Sequence, residues 1–458
     1  MLIIMLEQSI NHNINITKMK KIILITLLIL TFIQIGFAQM NFDKTKLDNY
    51  FSTLEKNNKF MGSVAVSKNG EVIYTKAIGF ADVENNIKAT ENSKYRIGSI
   101  TKSFTAVLVL KAVEQKKLDL NQTIDKWFPT IKNANQITIK HLLLHRSGIH
   151  NFTDNEDYLT WYTQPKTEKE MIEIIAKGGS DFAPDSKAEY SNSNYWLLAY
   201  ILEKTFKKSY SELLQEFIVK PLSLTNTYVF GKINTTNNEC KSYRYLGIWK
   251  VEPETDFTIP LGAGAIASTP TDLTKFADAL FGGKLLTNQS LEIMKSIKDG
   301  YGMGLFKISF YKNIGYGHQG EIDGFSSIYI HFPEDNISYV LSSNGTNMVI
   351  NDISIIVLSA VYNRPYEIPE FKTIILTSEE LDKYVGVYAS KEVPLKITIT
   401  KEGNTLIAQG TKQPAFPLEA TEKDKFKFDQ AGVKLEFNTI DKTMILFQGG
   451  KQFKFTKE

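Results

Sequence analysis

Apolar and polar positions alternate between Gly62 and Ala81, with Val64 and Val66 on one side of Asn69-Gly70 and Val72 and Tyr74 on the other. Asn-Gly is the two-residue signal for a type I′ hairpin, so the folded part of the chain opens with antiparallel sheet. The period then changes. Gly98-Ser99-Ile100-Thr101-Lys102-Ser103-Phe104 leads into Val107, Leu108, Leu110 and Val113, an apolar helical stretch free of Gly and Pro, with Ser99 at its start. Helical patterns recur over 139–145, 168–176, 196–205 and 211–219. Thr269-Pro270-Thr271-Asp272 announces another helix through a Thr N-cap, Pro at N1 and an early acid. Residues 315–332 and 337–343 read as paired strands, and 353–361 as a closing helix. The pattern predicts an α/β (α+β) fold in which the first and last strands meet in one antiparallel sheet flanked by helices, with an all-helical subdomain inserted between them.

A boundary follows at Pro365 to Pro369. The expected division is a main domain over 40–365, a linker over 366–375 and a small all-β domain over 376–458. In the last of these, short alternating strands recur at Leu395, Ile397 and Ile399, at Phe426 and Phe428, at Leu435 and Phe437, and at Phe453 and Phe455. A flat sheet of that kind would leave adhesive edges, so a barrel or curled sheet is predicted. At the other end, Lys20-Lys21 precedes an almost wholly apolar run from Ile22 to Ile35, with Gly36-Phe37-Ala38 before Gln39. A positive region, an apolar core and small residues at −3 and −1 form the pattern of a cleaved signal peptide, placed at residues 1–38 with Met19 as an alternative start. An apolar run of about 14 residues is short of the ~20 that span a bilayer as a helix. The expectation is therefore an exported protein, periplasmic or extracellular, with no stable membrane span after cleavage.

Composition narrows the chemistry. The 458 residues are 43% hydrophobic and 22% charged, with 53 Lys and Arg against 50 Asp and Glu, a formal charge of +3. That balance suits a globular protein and is too weak for one that neutralises a phosphate backbone, so nucleic acid is excluded as the main partner. The single cysteine, Cys240, closes no intrachain disulfide and makes no multi-thiolate site; flanked by Glu239 and Lys241 in an Asn-rich stretch, it reads as part of an exposed loop. His141 and His145 stand four apart, but the intervening Leu142-Leu143-Leu144 points to a buried helix and no metal site is assigned. Gly262-Ala263-Gly264-Ala265-Ile266-Ala267 matches a loose dinucleotide pattern without the acidic partner and reads as a tight strand-to-helix turn. No cofactor is predicted. Loop 234–256, with Tyr243, Tyr245 and Trp249, is a candidate for shaping specificity.

The informative segment is Ser99-Ile100-Thr101-Lys102. Residues i and i+3 share a helix face, which sets the Lys102 amine about one turn from the Ser99 hydroxyl. A serine hydroxyl needs a proton acceptor at neutral pH, and a lysine can serve once desolvation and the positive end of a helix lower its pKa. Tyr190-Ser191-Asn192 adds a phenol able to exchange a proton and an amide able to hold a carbonyl. His318-Gln319-Gly320 adds a side chain beside a glycine that lets substrate backbone approach a sheet edge. Together with Tyr95-Arg96-Ile97-Gly98, Leu142-Leu143-Leu144-His145-Arg146-Ser147-Gly148, Gly262-Ala263-Gly264, Tyr301-Gly302-Met303-Gly304 and Gly324-Phe325, these stretches resemble the serine β-lactamase and penicillin-binding protein superfamily. The resemblance lies on the branch that holds class C β-lactamases, DD-carboxypeptidases, D-aminopeptidases and related esterases.

The resemblance covers residues 45 to 362 and implies a β-lactamase/transpeptidase-like fold. It also implies an acyl-enzyme mechanism: Ser99 attacks, Lys102 and Tyr190 shuttle its proton, and Asn192 steadies the substrate. By the same analogy the backbone N–H groups of Ser99 and Glu321 hold the oxyanion, and His318, Gln319 and Gly320 bind substrate. The third motif departs from the K-T-G of β-lactamases. A mostly neutral His318 is a weaker anion handle, tunable by pH, so a D-residue peptide, amide or ester is expected over efficient β-lactam hydrolysis. Two alternatives remain open: a β-lactamase, and a non-catalytic sensor or scaffold that binds cell-wall peptide or β-lactam. Oligomeric state is not encoded in any pattern found.

Overall fold

A computed structural model describes residues 42–371, 374 and 376–458. The signal-like segment over 1–38, including Met19, lies outside the described residues, as do residues 372, 373 and 375 of the expected linker. No helix among the described residues is long and apolar enough to cross a membrane.

The sheet forms as the alternation predicts. Phe60–Lys68 and Glu71–Ile78 pair antiparallel around Asn69 and Gly70, whose φ values of 53° and 82° are those of a type I′ turn. The last strand of the sheet, Ile337–Thr346, pairs with the first in the register Val64↔Leu341, so the two ends of the domain meet. The full order is Phe306–Phe310, Asn313–Ile322, Phe325–Phe332, Ile337–Thr346, Phe60–Lys68, Glu71–Ile78. Side-chain alternation sorts the two faces. Val64, Ile328, Ile330 and Leu341 pack under the helices Lys44–Lys56 and Ile350–Val361, while Tyr329 and Val340 meet the larger helical core on the other face. Each face buries its own apolar set, which pins the register, since a one-residue slip would exchange them.

The helix Thr101–Glu114 runs through the centre of that larger core with nearly every residue buried. Burial all round explains why its apolar positions show no single stripe. Around it lie Glu168–Gly178, Asn192–Phe206 and Tyr210–Leu214, the last continuing into a π-turn over Gln215–Val219. Three sequence expectations are corrected here. Cys240 is buried, because its N–H pairs with the Lys94 carbonyl and draws the thiol under Tyr95. Burial raises that thiol to about 12, the opposite of a nucleophile's environment. Gly262 to Gly264 does not join a strand to a helix; a 3-10 turn at Leu261–Ala263 leads into the strand Ile266–Ser268. The helix starting at Ile139 ends at Leu143, and His145 has φ 56°, so His141 and His145 do not share a helix face.

The C-terminal region is a closed barrel of eight antiparallel strands, from Gly386–Ser390 to Lys451–Lys457. Tyr384, Phe426 and Phe437, with ring centroids 4.9 to 5.6 Å apart, fill one end. The barrel also contacts the first domain, where Gln430 donates to the Thr346 carbonyl at 3.0 Å, Asn347 donates to Glu419 at 3.1 Å, and Lys59 pairs with Glu419.

The approach of strand Asn313–Ile322 to the turn that carries Ser99 positions everything described below. Gly98 sits at φ 51°, and a Cβ there would stand 2.7 Å from the Glu321 carbonyl; a Cβ on Gly320 would stand 2.0 Å from the Ile97 carbonyl and 2.8 Å from the Ser99 nitrogen. Only glycine permits this contact. We expect Gly320→Ala to cost about 1–3 kcal/mol of stability, as overpacking does, and to slow acylation of Ser99. Chemical denaturation and a burst assay check this; unchanged values for both would contradict it.

Candidate active site

Ser99 lies in a 3-10 turn, Gly98–Ile100, that feeds directly into the helix Thr101–Glu114. Every residue from Ser93 to Leu110 is buried except Ser99, which is partly open. Among the described residues no group accepts from its backbone N–H. That donor stands at the positive end of the long helix, a natural place for developing negative charge.

Lys102, one turn later, is fully buried and forms no ion pair among the described residues. Its Nζ lies 2.9 Å from Ser99 Oγ, 2.7 Å from Asn192 Oδ1 and 2.8 Å from the Ala263 carbonyl. Burial drives its pKa well below the ordinary lysine value. A neutral amine has two N–H donors and one lone pair. Asn192 Oδ1 and the Ala263 oxygen can only accept, so they take the two donors. The lone pair is left for Ser99 Oγ, the one partner with a proton to give. Geometry and protonation state thus agree on a base beside a nucleophile.

Tyr190 packs against this pair, with the Lys102 amine 4.8 Å from its ring centroid. Burial raises the phenol's pKa well above its ordinary value, and the neighbouring Ser99 hydroxyl acts in the opposite sense without cancelling it. The phenol therefore rests protonated and can relay a proton without being the resting base. Asn192 opens the helix Asn192–Phe206 and is fixed on three sides: its Oδ1 by Lys102, its N–H by Asn151 Oδ1 at 2.9 Å, and its Nδ2 by Thr153 Oγ1 at 3.2 Å.

His145 is a part of this cluster that its sequence context did not reveal. It stacks on Tyr190 at 4.5 Å and also touches Tyr195 and Tyr301. Its carbonyl accepts from the Glu189 N–H at 2.9 Å, and its Nδ1 accepts from the Ser191 N–H at 3.1 Å. Tyr190 is thus clamped by bonds on either side of it in the chain. Burial, then the proximity of Lys102 and His318, holds the imidazole neutral, with its proton on Nε2. The spacing His141/His145 drew attention to the residue for the wrong reason.

His318 is buried beside Phe306, at 4.7 Å, and 6.4 Å from Tyr190 between ring centroids. Its Nδ1 donates to the Gln319 carbonyl, and burial followed by the nearby Lys102 lowers its pKa to about 3. The expected neutrality holds; the expected tunability near pH 7 does not, because desolvation moves the titration far below that range. Strand alternation turns Gly320 toward Ser99 and puts the exposed Gln319 on the other face with Glu321, where it lines a groove that adjoins the Ser99 cleft and shares Arg244, Glu252, Glu321 and Asp323 with it. Gln319 thus stands beside Glu321 and does not line the part of the cleft that holds Ser99 and Asn192.

The cleft beside Ser99 and Asn192 has a volume of about 410 Å³, bounded by Phe152, Tyr158, Tyr162 and, on the strand side, Glu321 and Asp323. Asp323 is anchored: it pairs with the buried Arg96 at 3.0 Å and accepts from Thr255 Oγ1 at 2.6 Å. Arg244 at the rim is countered by Glu252 at 2.9 Å. Glu321 forms no ion pair among the described residues. In loop 234–256 it is Arg244, Glu252 and Thr255 that reach the cleft, while Tyr243 is buried and Tyr245 and Trp249 meet edge to face away from it.

The Beta-lactamase family model matches residues 47–354. The chain is 32% identical over 232 residues to the teichoic acid D-alanine hydrolase of Staphylococcus aureus (strain MRSA252), covering 50% of this chain and 55% of that protein, so it spans about half the length of this relative. It is 24% identical over 445 residues to penicillin-binding protein 4* of Bacillus subtilis (strain 168), covering 89% of this chain and 97% of the relative. Among solved structures, D-amino acid amidase from Ochrobactrum anthropi SV3 matches with a TM-score of 0.61 and 28% identity, over 69% of this chain and 98% of the other. The octameric penicillin-binding protein homologue from Pyrococcus abyssi matches in fold over 90% of this chain and 99% of the other, with a TM-score of 0.63 and 24% identity. Taken with the buried lysine beside an accessible serine, these matches show that the chain belongs to the Beta-lactamase family and is a hydrolase.

Proposed function

We propose that the protein is an exported serine hydrolase that cleaves D-amino-acyl amide or ester bonds through an acyl-enzyme on Ser99, favouring substrates with a free ammonium group. The buried Lys102, with two N–H groups committed to carbonyl oxygens and its lone pair left for Ser99, carries the reading. As Ser99 Oγ attacks the carbonyl carbon, its proton passes to Lys102. The oxyanion is met by the backbone N–H groups of Ser99 and Glu321, donors that need no reorganisation. Lys102 and Tyr190 return the proton to the departing amine or alkoxide. Water then repeats the sequence on the ester carbonyl and releases Ser99.

Substrate charge follows from what flanks the nucleophile. The neutral His318 offers no cation for a carboxylate, and the rim cation Arg244 is already countered by Glu252. Of the carboxylates lining the cleft, Glu321 is the one left without a cation among the described residues, which suits an ammonium. Two relatives are named for D-alanine and D-amino acid substrates, and this supports the same class here. Export is supported by the signal-like segment and by the teichoic acid named for one relative.

Three outcomes are expected in steady-state assays. Ser99→Ala abolishes turnover and keeps the fold. Glu321→Gln lowers kcat/KM for a D-alanine ester by about tenfold, the scale of one lost partly screened charge contact, and leaves the N-acetylated ester unaffected. Nitrocefin is turned over more slowly than either ester; the reverse order would contradict the proposal.

His145 acts as a positioning residue. His145→Phe keeps the ring stack and removes the acceptor for the Ser191 N–H. We expect kcat to fall by about tenfold or more, the scale of catalytic loss from slight misplacement, with KM little changed. An unchanged kcat, or a loss confined to KM, would contradict that role.

A further inference from the structure

The C-terminal barrel keeps a cavity at one end. Beyond the aromatic plug of Tyr384, Phe426 and Phe437, its open end encloses a cavity of about 430 Å³. Eight strands give a barrel just wide enough either to be packed with side chains or to hold one small ligand, and the volume lies in the range of small-molecule sites. Ile397, Ala408 and Leu446 form the deep wall, and the stacked pair Phe416 and Phe428, with ring centroids 4.7 Å apart, is half-buried at the mouth. The lining contains no carboxylate and no lysine among the described residues. Its one ionised side chain, Arg244, belongs to the first domain and is countered by Glu252. Three carboxamides, Gln413, Gln430 and Gln448, stand around the mouth, at the chain turns of the open end.

An apolar lumen capped by uncharged donors and acceptors is complementary to an uncharged chain with a small polar head. We propose that this cavity is a second binding site, separate from the Ser99 cleft, for a medium-length alkyl or acyl chain bearing a neutral hydroxyl or amide head. The chain lies between Ala408 and Leu446, and the head meets the glutamine carboxamides. Ionic heads are disfavoured: an anion would compete with Glu252 for Arg244, and a cation finds no carboxylate in the lining.

The test uses the purified protein and N-phenyl-1-naphthylamine, an uncharged probe that fluoresces in apolar sites. We expect one saturable site, displaced by 1-decanol at least tenfold more effectively than by decanoate or decyltrimethylammonium. Ala415→Trp and Ala431→Trp, which narrow the mouth from two separate turns, should each weaken probe binding at least tenfold while leaving Ser99-dependent ester hydrolysis unchanged. Absence of saturable binding would overturn the proposal. So would binding that survives both tryptophan variants, displacement by a boronic acid that occupies Ser99, or a preference for either ionic detergent.

Discussion

The buried Lys102 amine is the constraint on which the rest of the site depends. An ammonium taken out of water with no carboxylate partner is costly, and the cost is relieved when the group gives up its proton. The fold enforces this by sealing Lys102 inside the helix core and presenting two carbonyl oxygens, from Asn192 and Ala263, to its N–H groups. Those two contacts do more than satisfy donors. They fix the direction of the remaining lone pair, so that Ser99 is activated by orientation as well as by basicity.

Other features maintain this arrangement at a distance. The helix must begin where Ser99 can be reached, and it is held to the sheet by Ser103, which donates to the Gly304 carbonyl at 2.6 Å and accepts from Tyr329 at 2.8 Å. The strand bearing Gly320 must touch the Ser99 turn without a side chain in between. Tyr190 must stay a neutral phenol within reach, and the His145 clamp ensures this from behind. Arg96, nearly fully buried, ties the segment before Ser99 to Asp323 and Glu254. Most of these contacts are buried and several are polar, which makes the site sensitive to single substitutions that leave the apolar core intact.

Much of this was legible in the sequence because it rests on local periodicity. Asn69-Gly70 named its turn, Thr269-Pro270 its helix start, and the i, i+3 spacing of Ser99 and Lys102 their shared face. The alternation of the tail indicated a closed sheet, and its eight strands close. What was not legible depends on contacts between segments far apart in the chain. Cys240 reads as loop because its neighbours are polar, yet a backbone bond to Lys94 turns it inward. His145 reads as a helix-face histidine, yet a left-handed backbone turns it under Tyr190. Gln319 belongs to the motif by sequence, yet strand alternation puts it with Glu321 on the face opposite Gly320. The ion pairs of Arg96 and Arg244, and the space left inside the barrel, follow from tertiary packing that no window of sequence encodes.

The central claim is that Lys102 is already an amine when Ser99 attacks. The direct measurement is the pre-steady-state rate of Ser99 acylation by an uncharged activated ester from pH 5 to pH 11, corrected for hydroxide attack. Because the base must be unprotonated and its pKa is lowered by burial, activity is lost only as pH falls through that lowered value. The account predicts a rate that has levelled off below the range where an ordinary lysine titrates and stays flat through that range. A rate that keeps rising about tenfold per pH unit up to pH ~10, the ordinary lysine value, would contradict it.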